Sequence, residues 1–239
     1  MLERDSQEDD AAAPRIGDAV RKGAESHKDS ANSVVRYVDR ARDFAAIRRP
    51  DVDLAIWVRS PPSKFTTWLS ALTFEQLPDI RILVKPDALI ETLGRYLDKC
   101  QMPSGDMRDF LIADINDLVN TFADVTGTDA VDMRLERIVH DACWRFHKDR
   151  VETRLLVTYL GPGTEWVTMD HAEAAVAEQN HYAGPIESLR AFDVGLFKGS
   201  GAEEGGGVVH RSPPIMELGL TRLLLCLNTP SITSPELLA

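Results

Sequence analysis

The sequence predicts an α+β fold, and three observations carry that expectation. Apolar residues recur at helical spacing in the first half, at Leu89, Leu93, Tyr96 and Leu97 and again at Phe110, Leu111, Ile115, Leu118, Val119 and Phe122. Beyond Gly127 the pattern changes to short β-branched or period-two runs broken by glycine and proline. No internal repeat is evident, and the strands follow the helices rather than alternating with them. N-terminal helices packed on a double-stranded β-helix, a cupin-like jelly roll, fit this order best.

Element by element, residues 1–33 are rich in Asp, Glu, Lys, Ser and Ala with almost no large apolar side chain, which predicts a disordered tail. A single domain is expected over 34–239, helical from 34 to 127 and β-rich and metal-binding from 128 to 228. Val34, Val38, Ala41 and Ala45 suggest a short helix from Val34 to Ile47 that stops before Pro50. Val52–Val58 reads as a strand, Lys64–Leu72 as a helix after Pro61-Pro62, and Arg81–Lys85 as a short strand. Pro86-Asp87 opens the next helix, and Asp106–Val125 is a longer one closed by Gly127. Strands follow at Val131–Val139 and Val151–Leu160, the latter with Leu155, Val157 and Tyr159 on one face. A helix over Asp170–Glu178 precedes strands at Phe192–Lys198, Gly207–His210 and Thr221–Leu227.

Composition narrows the function classes. A net charge of −11 argues against duplex nucleic acid as the main partner, because phosphate binding relies on clustered Lys and Arg. Cys100, Cys143 and Cys226 are an odd, widely spaced set without a CxxC, which favours a reducing cytoplasm over a disulfide framework. The acidic start Met1-Leu-Glu-Arg-Asp is unlike a signal peptide, and no apolar run is long enough for a membrane span. These features together predict a soluble cytoplasmic protein.

His147-x-Asp149 with the later His210 is the chemically richest pattern. On an extended strand, spacing of two puts both side chains on one side. Two imidazoles and one carboxylate are the ligand set of open-sided Fe(II) oxygenase sites. Chance makes the dipeptide common, and the bland reading is a surface salt bridge. Trp144, Phe146, Leu155, Leu156 and Tyr159 surround the pair with apolar bulk, which favours a pocket. Arg222, about a dozen residues after His210, would suit a dicarboxylate cosubstrate, since a guanidinium holds a carboxylate by two hydrogen bonds.

The stretch Cys143-Trp-Arg-Phe-His147-Lys-Asp149 through Arg154, Thr158-Tyr159-Leu160, Gly161-Pro-Gly163 and Trp166, with Phe197-Lys-Gly199, His210-Arg-Ser-Pro-Pro214 and Arg222-Leu-Leu-Leu225, resembles the bacterial domain-of-unknown-function family number 1826. That resemblance spans roughly residues 48–228 and implies a link to zinc limitation without naming a reaction. More distantly, the H-x-D, Arg154 and Thr158-Tyr159-Leu160 are similar to the start of the catalytic β-helix in prolyl-hydroxylase-like 2-oxoglutarate oxygenases. This second resemblance implies Fe(II), 2-oxoglutarate and O2, with His147, Asp149 and His210 as metal ligands. It implies Arg222 as cosubstrate anchor, with Tyr159 and Arg154 as further cofactor contacts. Gly161-Pro-Gly-Thr-Glu165 departs from that family's Gly-Gly-Glu, and Arg211 after the distal His leaves two arginines as possible anchors.

Other candidates are weaker. His140, Cys143 and His147 form an H-x2-C-x3-H that would suit zinc on a helix but lacks a fourth ligand nearby. Cys143 and Cys226 read as small buried hydrophobes. Gly161-Pro-Gly163 and Gly205–Gly207 read as turns, Glu165 and Asp170 as solvated carboxylates, and Trp166 as a packing residue. Ser212 lacks the surroundings of a hydrolase nucleophile. The leading expectation is therefore an Fe(II)/2-oxoglutarate oxygenase acting on a small molecule or a peptide side chain. A Zn(II)-binding homeostasis protein and a cupin-like metal-dependent isomerase are the alternatives.

Overall fold

Val35–Val38 forms a strand, β1, where the helical spacing of Val34, Val38, Ala41 and Ala45 predicts a helix. Its β-branched side chains favour extended backbone, and a parallel partner, Leu54–Trp57 (β2), supplies the hydrogen bonds. Only the continuation, Ala41–Arg48, is helical, as a 3-10 turn that buries Phe44 and Ile47. The computed structural model describes residues 35–202 and 207–238. The expected tail over 1–33 and the expected turn at Gly205 and Gly206 lie outside these residues.

The remaining elements are α1 (Ser63–Ser70), β3 (Ile80–Val84), α2 (Leu89–Lys99), α3 (Asp106–Thr126), β4 (Val131–Ile138), β5 (Thr153–Leu160), β6 (Glu165–Trp166), α4 (Met169–Glu178), β7 (Glu187–Ser188), β8 (Val194–Lys198), β9 (His210–Arg211) and β10 (Arg222–Asn228). The long α3 ends where Gly127 adopts a left-handed conformation and its N–H caps the carbonyl of Ala123.

Strands β1-β2-β8-β5-β10-β4-β3 form one seven-stranded sheet, antiparallel at every pair but β1–β2. A smaller sheet runs β7-β6-β9. The part before residue 127 supplies β1, β2 and β3 as well as helices, and these strands complete the sheet whose centre comes from the part after it. Non-local pairing of this kind leaves no trace in local periodicity.

Alternation along the central strands divides the interior. Leu155, Val157, Leu223, Leu225 and Leu227 share an apolar cluster with Phe65 of α1, Leu93 of α2 and Phe122 of α3. The opposite side chains, Leu156, Leu224 and Cys226, pack with Trp166, Val208 and Phe197 between the two sheets. A third cluster, Phe146, Val167 and Val209, meets Ala172 and Ala175 of α4 behind the small sheet. Among the described residues no helix is long and apolar enough to cross a membrane.

Candidate metal centre

Strand pairing brings His147, Asp149 and His210 together. His147 N donates to His210 O and His210 N donates to His147 O, each at 3.0 Å, so the segment carrying the H-x-D runs antiparallel to β9 with the two histidines directly opposite. Gln179, just past α4, braces this segment: its Oε1 accepts from Phe146 N at 2.9 Å and its Nε2 donates to Phe146 O at 3.0 Å. Asp149, two residues beyond His147, is pinned through its carbonyl, which accepts from Ser200 N at 2.8 Å and Ser200 Oγ at 2.9 Å. That approach needs a glycine at 199, where a Cβ would lie 1.9 Å from Val151 O. One ligand atom from each of the three residues then lies within 4.8 Å of the others.

The protonation pattern of this cluster suits a cation. His147 Nδ1 lies 2.8 Å from Arg145 O and His210 Nδ1 lies 3.0 Å from Val208 O. A carbonyl oxygen can only accept, so each neutral ring carries its proton on Nδ1 and turns a bare Nε2 inward. Those nitrogens stand 3.6 Å and 3.3 Å from the Asp149 carboxylate oxygens. Two lone pairs aimed at an anion repel unless a positive charge sits between them. Asp149 Oδ2 is sealed from solvent and has no hydrogen-bond partner among the described residues, because its contact with His210 is short without being well directed. The donor set and the orphaned oxygen therefore fit a divalent cation held by His147 Nε2, His210 Nε2 and Asp149 Oδ2.

Arg154 turns to the other carboxylate oxygen. Its Nη1 donates to Asp149 Oδ1, and its Nε donates to Asn228 Oδ1 at 2.8 Å. Burial works against ionisation of Asp149, but His147, His210 and Arg154 outweigh it and hold the carboxyl well below the usual carboxylate range. The Arg154 expected as a cofactor contact is thus engaged by Asp149 and Asn228. Phe197 closes one side of the cluster, its ring centroid 4.9 Å from that of His210.

Arg222 is fully buried between the sheets. Its Nε donates to Pro162 O at 2.8 Å, its Nη1 to Ser212 Oγ at 2.9 Å and its Nη2 to Thr158 Oγ1 at 3.3 Å. Every partner is neutral, and no carboxylate among the described residues forms an ion pair with it. Burial pulls its pKa down to about 10, so the guanidinium stays charged at neutral pH. Gly161 makes room for it: φ is +82°, and a Cβ there would lie 2.5 Å from Thr221 O. Ser212 stands two residues from His210, so Arg222 reaches a side chain one pleat along from His210.

Two expected contacts lie elsewhere. Tyr159 points to the helical side, where its hydroxyl donates to Asp114 Oδ2 at 2.6 Å and Arg59 closes the group as a buried ion pair with Asp114. It is not a cosubstrate contact. The alternation that groups it with Leu155 and Val157 carried the signal, since Thr158 takes the inter-sheet side in its place. Arg211 faces away from His210: its Nε donates to Glu165 Oε2 at 2.6 Å and its guanidinium lies 4.2 Å over the Phe146 ring. A carboxylate already satisfies it, which removes it as the alternative anchor and makes Glu165 an ion-pair partner. His140 and Cys143 are exposed and do not join His147 in a zinc face. Cys226 is buried between the sheets. Gln179 and Asn228, and the contacts of Ser212 and Thr158 with Arg222, escaped sequence reasoning because each acts through a partner distant in the chain.

No curated protein matches the chain by sequence. Among solved structures, it is similar to dioxygenase for auxin oxidation 1 from Arabidopsis thaliana in its 2-oxoglutarate binary complex, at 11% identity over 85% of this chain and 96% of that one, with a TM-score of 0.47. It is similar to the Kdo hydroxylase KdoO, a non-heme Fe(II) alphaketoglutarate-dependent dioxygenase, at 10% identity over 82% and 88%, with a TM-score of 0.40. A bsmA homolog from Methylobium petroleophilum PM1 shows 12% identity over 83% and 97%, also with a TM-score of 0.40. The family described as "Protein of unknown function (DUF1826)" matches residues 38–228, and the chain belongs to that family.

Proposed function

We propose that the protein is an Fe(II)- and 2-oxoglutarate-dependent oxygenase, its two sheets forming the halves of a double-stranded β-helix. The observation that carries this reading is a pairing of two incomplete sites: three converging lone-pair donors around an unpartnered carboxylate oxygen, and a buried guanidinium with only neutral partners, anchored one pleat from His210. The first calls for a cation and the second for an anion. A dicarboxylate that touches both would satisfy both.

In this reading His147, Asp149 and His210 hold the metal from one side. Arg222, with the Ser212 and Thr158 hydroxyls, receives the far carboxylate of 2-oxoglutarate and so orients its keto-acid end toward the ligands. Phe197 and the inter-sheet cluster keep water from the site. Bound ferrous iron would supply the dioxygen chemistry that no side chain offers. A zinc-handling role would use the same three ligands but gives Arg222 no anion to hold.

The test is anaerobic purification, metal analysis, calorimetric titration of Mn(II)-loaded protein with 2-oxoglutarate, and measurement of succinate formed from Fe(II)-loaded protein in air. One metal per chain, saturable 2-oxoglutarate binding and oxygen-dependent succinate are expected. Tight zinc with no 2-oxoglutarate affinity would overturn the reading in favour of zinc handling, and turnover without oxygen would favour an isomerase.

A further inference from the structure

Arg134 carries a positive charge that nothing in the described structure neutralises. It lies on β4 with its side chain on the inter-sheet side, since its neighbours Met133 and Leu135 belong to the cluster shared with the helices. Its Nε is shut off from solvent and has no hydrogen-bond partner. Directly opposite on β3 is Arg81, a second cation, and like charges facing each other across a sheet destabilise it. Opposite on β10 is Cys226, and Arg154 follows on the same face of β5, level with Asn228.

The acidic groups on this face are engaged elsewhere. Asp132 accepts from Arg81 Nη2 at 3.0 Å and from Ser234 Oγ at 2.8 Å. Asp149 is held by Arg154 and offers its other oxygen to the metal site. Glu136, two residues along β4, forms no ion pair with Arg134 among the described residues. Filling the metal site uses up the charge of Asp149 and leaves Arg81, Arg134 and Arg154 facing two carboxylates. The face would then carry excess positive charge beside the metal.

We infer that Arg134 binds an oxyanion, a carboxylate or phosphate group of the primary substrate, on the sheet face that leads to His147, Asp149 and His210. That the substrate is then oxidised rests on the oxygenase reading; that the anion binds does not. β10 alone separates β4 from β5, and Arg154 sits two residues along β5 from the position opposite Arg134, so the two stand about 12 Å apart at roughly 4.8 Å per strand and about 3.4 Å per residue, within the span of a small metabolite. The guanidinium fork suits the planar or tetrahedral oxygens of either group.

The test titrates inorganic phosphate and, in parallel, acetate into metal-free wild-type, Arg134→Gln and Arg134→Lys proteins, with Mn(II) and 2-oxoglutarate titrations on the same preparations. At least one anion should bind the wild type and lose about tenfold or more in Arg134→Gln, with Arg134→Lys intermediate. The preferred anion tells a phosphate group from a carboxylate. Mn(II) and 2-oxoglutarate affinities should be unchanged by either substitution. Arg134→Gln should melt at or above wild type, because it removes the repulsion with Arg81. Equal anion binding in wild type and Arg134→Gln, or none in the wild type, would overturn the proposal, as would marked destabilisation of the variant. Arg134-dependent anion binding without 2-oxoglutarate affinity would uphold the subsite and remove the oxygenase.

Discussion

His147 and His210 lie directly opposite each other across an antiparallel pair, joined by two backbone hydrogen bonds of 3.0 Å and with ring centroids 4.7 Å apart. The backbone ladder therefore sets the separation of the two imidazoles before any ligand arrives. Asp149 adds the third donor through the two-residue period of the same segment.

Replacing His147, Asp149 or His210 by alanine should each lower Mn(II) affinity by about tenfold to a hundredfold or more, since each removes one of three protein ligands. Circular dichroism should stay native for the two histidine variants. Calorimetry with Mn(II) measures the effect, and wild-type affinity in all three variants would dismantle the site.

The acid side of the site has a defined sign. The neighbouring Asp149 carboxylate raises the His147 pKa above the ordinary imidazole value near 6.5, against the opposing effect of burial. In metal-free protein this imidazolium pair contributes stability that is fully present below 6.5 and is lost as the pH rises through the raised folded value. Metal must displace that proton, so Mn(II) affinity should climb with pH over the same window. Melting curves with chelator and with Mn(II), taken from pH 5.5 to 8.5, should therefore diverge as the pH rises; parallel curves would contradict the assignment.

Arg222 and Arg59 should behave differently when replaced. Arg222→Leu should weaken 2-oxoglutarate binding about tenfold to a hundredfold, the value of one or two charge-assisted hydrogen bonds, and cost little stability because no carboxylate is stranded. Arg59→Leu leaves the part-buried Asp114 with only the Tyr159 hydroxyl as partner and should cost about 1–3 kcal/mol, the value of a hydrogen-bonded charged group losing its partner. Urea denaturation and a 2-oxoglutarate titration of both variants separate the roles. A large stability loss in Arg222→Leu with unchanged 2-oxoglutarate affinity would make Arg222 structural.

Tyr159→Phe isolates the hydroxyl that turns away from the site. It removes one hydrogen bond to a buried carboxylate and should cost about 1–3 kcal/mol of stability. Affinity for 2-oxoglutarate should not change. A selective loss of that affinity would return Tyr159 to the cosubstrate site.

The sequence by itself determined the elements whose information is local. The helical period through Leu111, Ile115, Leu118 and Phe122, the left-handed stop at Gly127 and the alternation of Leu155, Val157 and Tyr159 are each contained in one stretch of chain. The H-x-D spacing likewise picked out two of the three donors that cluster, because two residues on extended backbone share a side. Tertiary structure alone decided the rest. Val35–Val38 became a strand because β2 offered it a parallel edge, a contact that local spacing does not encode. Which arginine stays without a carboxylate depended on long-range pairing: Arg211 meets Glu165 across β6 and β9, Arg154 meets Asp149, and Arg222 meets only hydroxyls and a carbonyl. An arginine's charge is legible in sequence, but its partner is chosen by the strand that register places beside it.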